Sequence, residues 1–261
     1  MNAGSKLTML TRVGFAARGI LYLVIGFLVI GTGRTEDTSG ALQYVASGGG
    51  RVLMIVMAAG LIAYGIWRLA DAIFDIERHG SDRKGAFERA GAGLSGVVHL
   101  FLAWQAVRLI RGIESAGSGT QDGAQATLQL PGGAMLLMLI GVLLAALGVV
   151  QLIKAYKAKF LRYLEPQVAS QAWAQWSGRA GYAARGLVFL ISGWLLLKAG
   201  YNERASAAGG MEEALTWLSS PADIVIAAGL FCFGIFSLIE ARYRVLHDVP
   251  VDGIARKVTG A

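Results

Sequence analysis

The chain has 261 residues, of which 55% are hydrophobic and 16% charged, with a formal net charge of +7. That balance is too apolar for a soluble domain of this length. The positive charge does not call for a nucleic-acid partner, because basic loops facing an anionic leaflet account for it.

Six apolar runs, at 13–31, 52–70, 92–110, 133–153, 180–197 and 222–239, predict membrane-crossing helices. About 20 residues at 1.5 Å each cover a hydrocarbon core of about 30 Å. The first run follows Lys6 and Arg12 as a signal peptide would, but it lacks a small-residue cleavage pattern and its phrase recurs near residue 180. It therefore reads as a permanent helix. Runs such as ILYLVIGFLVIG and AMLLMLIGVLLAALGVV carry no polar stripe of helical period, which excludes a soluble helical bundle. The lone Cys232 falls inside the last run, so it forms no internal disulfide and reads as a small buried apolar residue.

RVGFAARG at 12–19 and RAGYAARG at 179–186 are nearly the same words, and Arg89, Gly91 and Gly96 form a weaker third copy. Each copy continues through a tip with a short apolar patch, ALQYV at 41–45, TLQL at 127–130 and ALTWL at 214–218. A second apolar helix follows, aligned on Gly65, Gly148 and Gly234. The chain thus reads as one membrane domain, 1–261, written as repeats 12–76, 89–157 and 179–243. Two helices per repeat bring successive copies into the membrane with the same polarity. The expected fold is an all-α integral membrane protein, its six transmembrane helices arranged as three parallel two-helix repeats around a pseudo-threefold axis.

Three such units, each opening on Arg-x-Gly-x-x-x-(Arg)-Gly, resemble the bacterial membrane proteins grouped as domain of unknown function 1206. The resemblance covers residues 12 to about 243, and the middle copy departs from the phrase with Ser95 in place of Arg18 and Arg185. It implies a bacterial inner-membrane location and brings no activity, substrate or catalytic residue.

Basic residues give the orientation. The hairpin tips hold only Arg34, Arg51, Arg108, Arg111, Lys198 and Arg204, and the opposite side holds the other 18 of the 24 Lys and Arg. The positive-inside rule then places both termini in the cytoplasm.

Charged residues in the runs are the candidate site. Six residues past each aligned glycine stand Asp71, Lys154 and Glu240, and the first helices carry Arg18, Ser95 and Arg185. Where the first helix has Arg the second has an acid, and where it has Ser the acid becomes Lys. This predicts ion pairs that staple each hairpin, Arg18 with Asp71 and Arg185 with Glu240. Snorkelling anchors and ligand-binding arginines are the other two readings. His99 is the one ionisable group near the middle of a span, aligned with Tyr22 and Phe189, and its plain reading is a packed, neutral ring. A proton relay is the sharper reading. Gln105 and Gln151 complete a candidate intramembrane polar site, with interhelical hydrogen bonding as their default role.

GAGLSG at 91–96 satisfies the dinucleotide fingerprint, but no strand precedes it and a membrane run follows. It reads as close helix packing at Ala92 and Gly96, a role that also suits Gly60, Gly65, Gly141, Ala145 and Gly148. HExxH, P-loop, CxxC and G-x-S-x-G patterns do not occur. No catalytic residue, metal or cofactor is predicted. The tip patches, with Tyr44 and Trp217, are expected in the outer interface, the alternative being re-entrant plugs. The expected function is a non-enzymatic membrane scaffold or accessory protein, partnered by the bilayer and by a membrane protein or a second copy. The alternative is a small-molecule or ion transporter with a site on the pseudo-threefold axis.

Overall fold

The computed structural model describes residues 3–35, 38–48, 50–77, 79–80, 82–112 and 119–245. The C-terminal tail from residue 246, expected on the cytoplasmic side, lies outside them. The described residues form ten α-helices. They are α1 Ala3–Phe27, α2 Thr38–Gly48, α3 Gly50–Phe74, α4 Arg83–Ile110, α5 Gly119–Leu128, α6 Gly133–Lys157, α7 Pro166–Ala169, α8 Ala172–Tyr201, α9 Met211–Trp217 and α10 Ala222–Tyr243. A π-helical turn, Leu28–Thr32, extends α1. Among the described residues the sole β feature is an isolated antiparallel bridge between Leu164 and Arg244.

Six of these helices are long and apolar enough to cross a membrane, over Thr11–Thr32, Arg51–Phe74, Arg83–Ile110, Gly133–Lys157, Ala172–Tyr201 and Ala222–Tyr243. Each predicted run falls inside one of them. The chain is a multi-pass, all-helical membrane protein.

The long helices pack as a row, α4 on α3, α3 on α1, α1 on α10, α10 on α8 and α8 on α6. The most extensive contacts are α6 with α8, α3 with α4 and α1 with α10, each joining the second helix of one repeat to the first helix of another. The two helices of the middle repeat, α4 and α6, do not pack along each other. A stack of self-contained hairpins is therefore not what forms.

Glycine is the cause. At all three major crossings an aligned glycine of a second helix faces an aligned glycine of a first helix, Gly65 with Gly96, Gly148 with Gly186 and Gly234 with Gly19. A Cβ on Gly148 would stand 2.8 Å from the Gly186 carbonyl oxygen, and one on Gly234 would stand 2.9 Å from that of Gly19. Only the missing side chain lets the backbones meet. In lipid, where burying apolar surface gives little drive, such close dispersion contact is what holds helices together. Gly60 against Ala17, and Gly141 and Ala145 against Gly193, repeat the device.

The tip half of the bundle is dry. Leu21, Ile25, Met57, Leu61, Leu230 and Phe233 form one continuous core that also takes in Leu42 of α2 and Leu215 of α9. The tip patches are thus amphipathic caps on the bundle. Ala41, Leu42, Val45, Ala214 and Leu215 point into the core, while Tyr44 and Trp217 stay exposed at the rim. In the tip of the middle repeat, Ala124 of α5 packs with Leu137, Leu196 and Ala208. The leucines are therefore not free to lie in the interface, because a short helix turns one face into the core and leaves the other outside. The opposite faces of α4 and α6 remain open, with Val97 at 58%, Val142 at 53% and Met135 at 74% exposure. Such faces suit acyl chains.

Gly234→Val puts a branched side chain where the backbone of α1 already stands, so purified protein should lose its monodisperse peak on detergent size exclusion. Gly123 on α5 meets nothing within 4 Å of its built Cβ. Gly123→Ala should fold normally and gain about 0.5–1 kcal/mol from lowered backbone entropy.

Candidate functional site

α1, α3 and α10 meet at the bundle end that carries loops 75–82 and 158–171, the basic end. Arg18 lies there, 6% exposed. Its Nη2 donates to Glu240 Oε2 at 2.5 Å, its Nη1 to the Tyr64 hydroxyl at 2.7 Å and its Nε to Ser237 Oγ at 3.1 Å. The guanidinium also sits over the rings of Phe15 and Phe233, at 4.8 and 5.0 Å. A buried cation is costly unless it is paired and hydrogen-bonded, and Arg18 has a carboxylate and a bond from each of its three nitrogens.

The expected staple of Arg18 to Asp71 is not the pair that forms. Arg18 precedes Gly19 and Glu240 follows Gly234 by six residues, so the crossing of α1 on α10 brings these two together. The same geometry separates Arg185 from Glu240. Arg185 meets no carboxylate among the described residues and lies over Phe233, Phe189 and Tyr22, at 4.5, 5.2 and 5.3 Å.

Asp71, fully buried, finds local partners instead. It accepts the Glu77 backbone N–H at 2.8 Å, and its Oδ2 lies 3.2 Å from His79 Nε2 and 3.3 Å from Arg68 Nη1. Asp75, at a left-handed φ of 55°, turns the chain after α3 and accepts the N–H groups of His79 and Gly80. His79 Nδ1 faces Glu88 of α4 at 2.9 Å. The Asp71 hydrogen bond raises the His79 pKa against the opposing effect of burial, and the charges of Asp71, Glu77 and Glu88 add to the rise.

Arg244, just past α10, joins the two halves by pairing with both Glu240 and Glu77. Its guanidinium lies over Tyr163 at 4.4 Å and Phe15 at 4.9 Å. Burial opposes its charge, yet Glu77 and Glu240 hold its pKa above the ordinary value. The result is one chain of alternating charge through Arg18, Glu240, Arg244, Glu77, Arg68 and Asp71 to His79. Asp71, Glu77 and His79 present ligand atoms within 4.8 Å of one another, a set that could hold a metal ion. Arg68 Nη1 already stands 3.3 Å from Asp71 and 3.9 Å from Glu77, so a guanidinium supplies the cation there.

Arg244, Glu77, Arg68, Tyr64 and His79 went unmarked in the sequence. The signals were faint: Arg244 lies four residues past Glu240, and Tyr64 immediately precedes the aligned Gly65.

His99 is buried, with Nδ1 2.7 Å from the Ser95 carbonyl oxygen and its ring 4.4 Å from that of Tyr64. It joins none of the ion pairs among the described residues. Gln105 is 5% exposed. Gln151 has a buried Oε1 with no hydrogen-bond partner.

Six spanning helices clasped at one end by buried charge define a multi-pass helical membrane protein. The chain belongs to the family described as Domain of Unknown Function (DUF1206), whose model matches it three times, at 13–75, 90–158 and 180–244. It is also similar to "Uncharacterized protein YxxB" of Bacillus subtilis (strain 168), at 29% identity over 246 residues, covering 89% of this chain and 90% of that protein. No solved structure matches it.

A double-mutant cycle on thermal melts in detergent checks the pairing. Arg18→Ala and Glu240→Ala should each cost about 3–5 kcal/mol and couple by more than about 1 kcal/mol. Arg18→Ala with Asp71→Ala, joined only through Glu240, Arg244, Glu77 and Arg68, should couple more weakly than Arg18→Ala with Glu240→Ala, and equal or stronger coupling would restore the staple within the hairpin.

His79 gives a pH dependence. Folding raises its affinity for a proton, so its contribution is complete below about pH 6.5 and fades as pH climbs through the raised value. Melting temperature should fall more steeply above neutrality in the parent than in His79→Gln. Equal slopes would remove His79 from the network.

Proposed function

We propose that the protein is a multi-pass protein of the bacterial inner membrane, with both termini in the cytoplasm, that acts without catalysis as a membrane scaffold or accessory protein. The observation that carries this reading is the Arg18–Glu240 pair, 7% and 3% exposed at its side chains, which ties the first spanning helix to the last. A buried pair that also engages Tyr64, Ser237 and Arg244 is spent on holding the bundle shut. Three equivalent glycine crossings support a pseudo-threefold arrangement of the repeats, with the ring left open between α4 and α6. The open apolar faces of those helices suit a membrane-protein partner or a second copy.

Transport is the second reading, favoured by the polar side chains gathered inside the bundle, His99, Gln105, Gln151 and Arg185. His99→Phe separates the two. It keeps the ring shape found at the aligned positions 22 and 189 and removes the titratable nitrogen. A scaffold should then express, melt and complement a deletion strain like the parent. A variant that folds normally and fails to complement would favour transport.

Topology is checked with single cysteines in a Cys232→Ala background. Those at Ser47, Gln129 and Ser206, all exposed on the tips, should react with an impermeant thiol reagent added to intact cells. Those at Lys84 and Ser170, exposed at the basic end, should not. Reversed labelling would overturn the orientation.

A further inference from the structure

The register that brings Arg18 to Glu240 operates at all three glycine crossings, with different residues in place. On one helix the residue before the glycine counts, and on the other the residue six past it. At the crossing of α1 on α10 these are Arg18 and Glu240, and they pair. At α4 on α3 they are Ser95 and Asp71, an acid with no arginine opposite, and Arg68 and His79 make good the deficit. At α8 on α6 they are Arg185 and Lys154, two cations. No carboxylate among the described residues comes within ion-pair distance of either. Arg68 and Arg185 both repel the Lys154 ammonium, and the acids that act on it, Glu88 and Glu77, are already engaged by His79, Arg162 and Arg244.

Two buried polar atoms, one on each of the helices of this crossing, are orphaned. Arg185 Nε and Gln151 Oε1 are both buried and both lack a hydrogen-bond partner. At the α1–α10 crossing the equivalent groups are bonded, Arg18 Nε donating to Ser237 Oγ, and Ser237 and Gln151 each lie three residues past their glycine. The terminal atoms of a Gln amide are interchangeable by a simple flip, so Gln151 can present N–H groups there as well. The rings of Tyr22, Phe189 and Phe233 hold the Arg185 guanidinium in position and offer its planar fork no oxygen acceptor beyond a single hydroxyl.

We propose that Arg185 and Lys154, with Gln151 beside them, bind the phosphate of an anionic phospholipid that enters between α4 and α6. An arginine fork and a lysine point charge are the usual pair for phosphate. The source is lipid because the site opens sideways. α4 and α6 do not pack along each other, and α6 is the least enclosed span, with 17% of its window buried. Lys154 is exposed and lies three residues from the end of α6, at the level where headgroups sit. This inference does not rest on the scaffold reading, since transporters and scaffolds alike can hold a lipid.

The test uses the full chain, stripped of lipid in neutral detergent, with thermal melting and native mass spectrometry as readouts. Phosphatidylglycerol should raise the melting temperature and add one retained lipid per chain, whereas phosphatidylcholine and inorganic phosphate at equal concentration should do neither. Lys154→Met and Arg185→Gln should each weaken the phosphatidylglycerol effect about tenfold or more. Lys154→Glu sets a carboxylate against Arg185 as Glu240 stands against Arg18. It should melt higher than the parent without lipid and lose the lipid response. An unchanged response in Lys154→Met, a response retained in Lys154→Glu, or no response in the parent would overturn the site. An equal shift with inorganic phosphate, or with phosphatidylcholine, would overturn the assignment to an anionic lipid. Should Arg185→Gln fail to fold, the two substitutions at the exposed Lys154 decide the matter.

Discussion

Backbone-to-backbone approach at paired glycines is the constraint on which the rest of this molecule depends. Each of the three crossings fixes an axial register between two helices, and that register decides which charged residue meets which. Arg18 can be buried because Gly19 and Gly234 bring Glu240 alongside it. Were the helices held apart by side chains of ordinary size, the guanidinium and carboxylate would each be left in apolar surroundings at a cost of several kcal/mol. The glycines and the charges are one device seen at two scales.

Much of this was legible in the sequence. The six helices, the threefold repetition, the small-residue packing positions and the importance of Arg18, Asp71 and Glu240 follow from composition and internal alignment. The partners do not. Alignment ranks equivalent positions within each repeat, and it is silent on whether a helix packs best against its own hairpin mate or against a helix of another copy. Once the glycines are seen to face across repeats, Glu240 replaces Asp71 as the partner of Arg18, and Lys154 takes the equivalent register position for Arg185. The exchange of charge inside the repeats does not mark partners: across the glycine crossings the same register positions hold Arg18 with Glu240, Ser95 with Asp71 and Arg185 with Lys154.

Residues outside the repeated phrase were harder to find. Arg244, Glu77 and His79 sit in segments where the copies no longer match, and they act by bridging loops to helix ends. Their role comes from tertiary proximity that no local pattern encodes. The tips were misjudged for a related reason. A patch of four or five residues reads as uniformly apolar, but wound into a helix it sends Leu42 and Leu215 inward and leaves Tyr44 and Trp217 at the rim.

The clasp between α1 and α10 has a consequence for biosynthesis. Ribosomes deliver α1 first and α10 last, with four spanning helices between them. Throughout elongation Arg18 has entered the bilayer region while Glu240 has yet to be made. The nascent first helix must keep its guanidinium near the headgroups, at the insertion machinery or against Tyr64 of α3 until α10 is made. Assembly is thereby postponed until α10 is synthesised, and chains cut short before it keep an unmatched cation in the membrane, a mark that sets them apart for quality control.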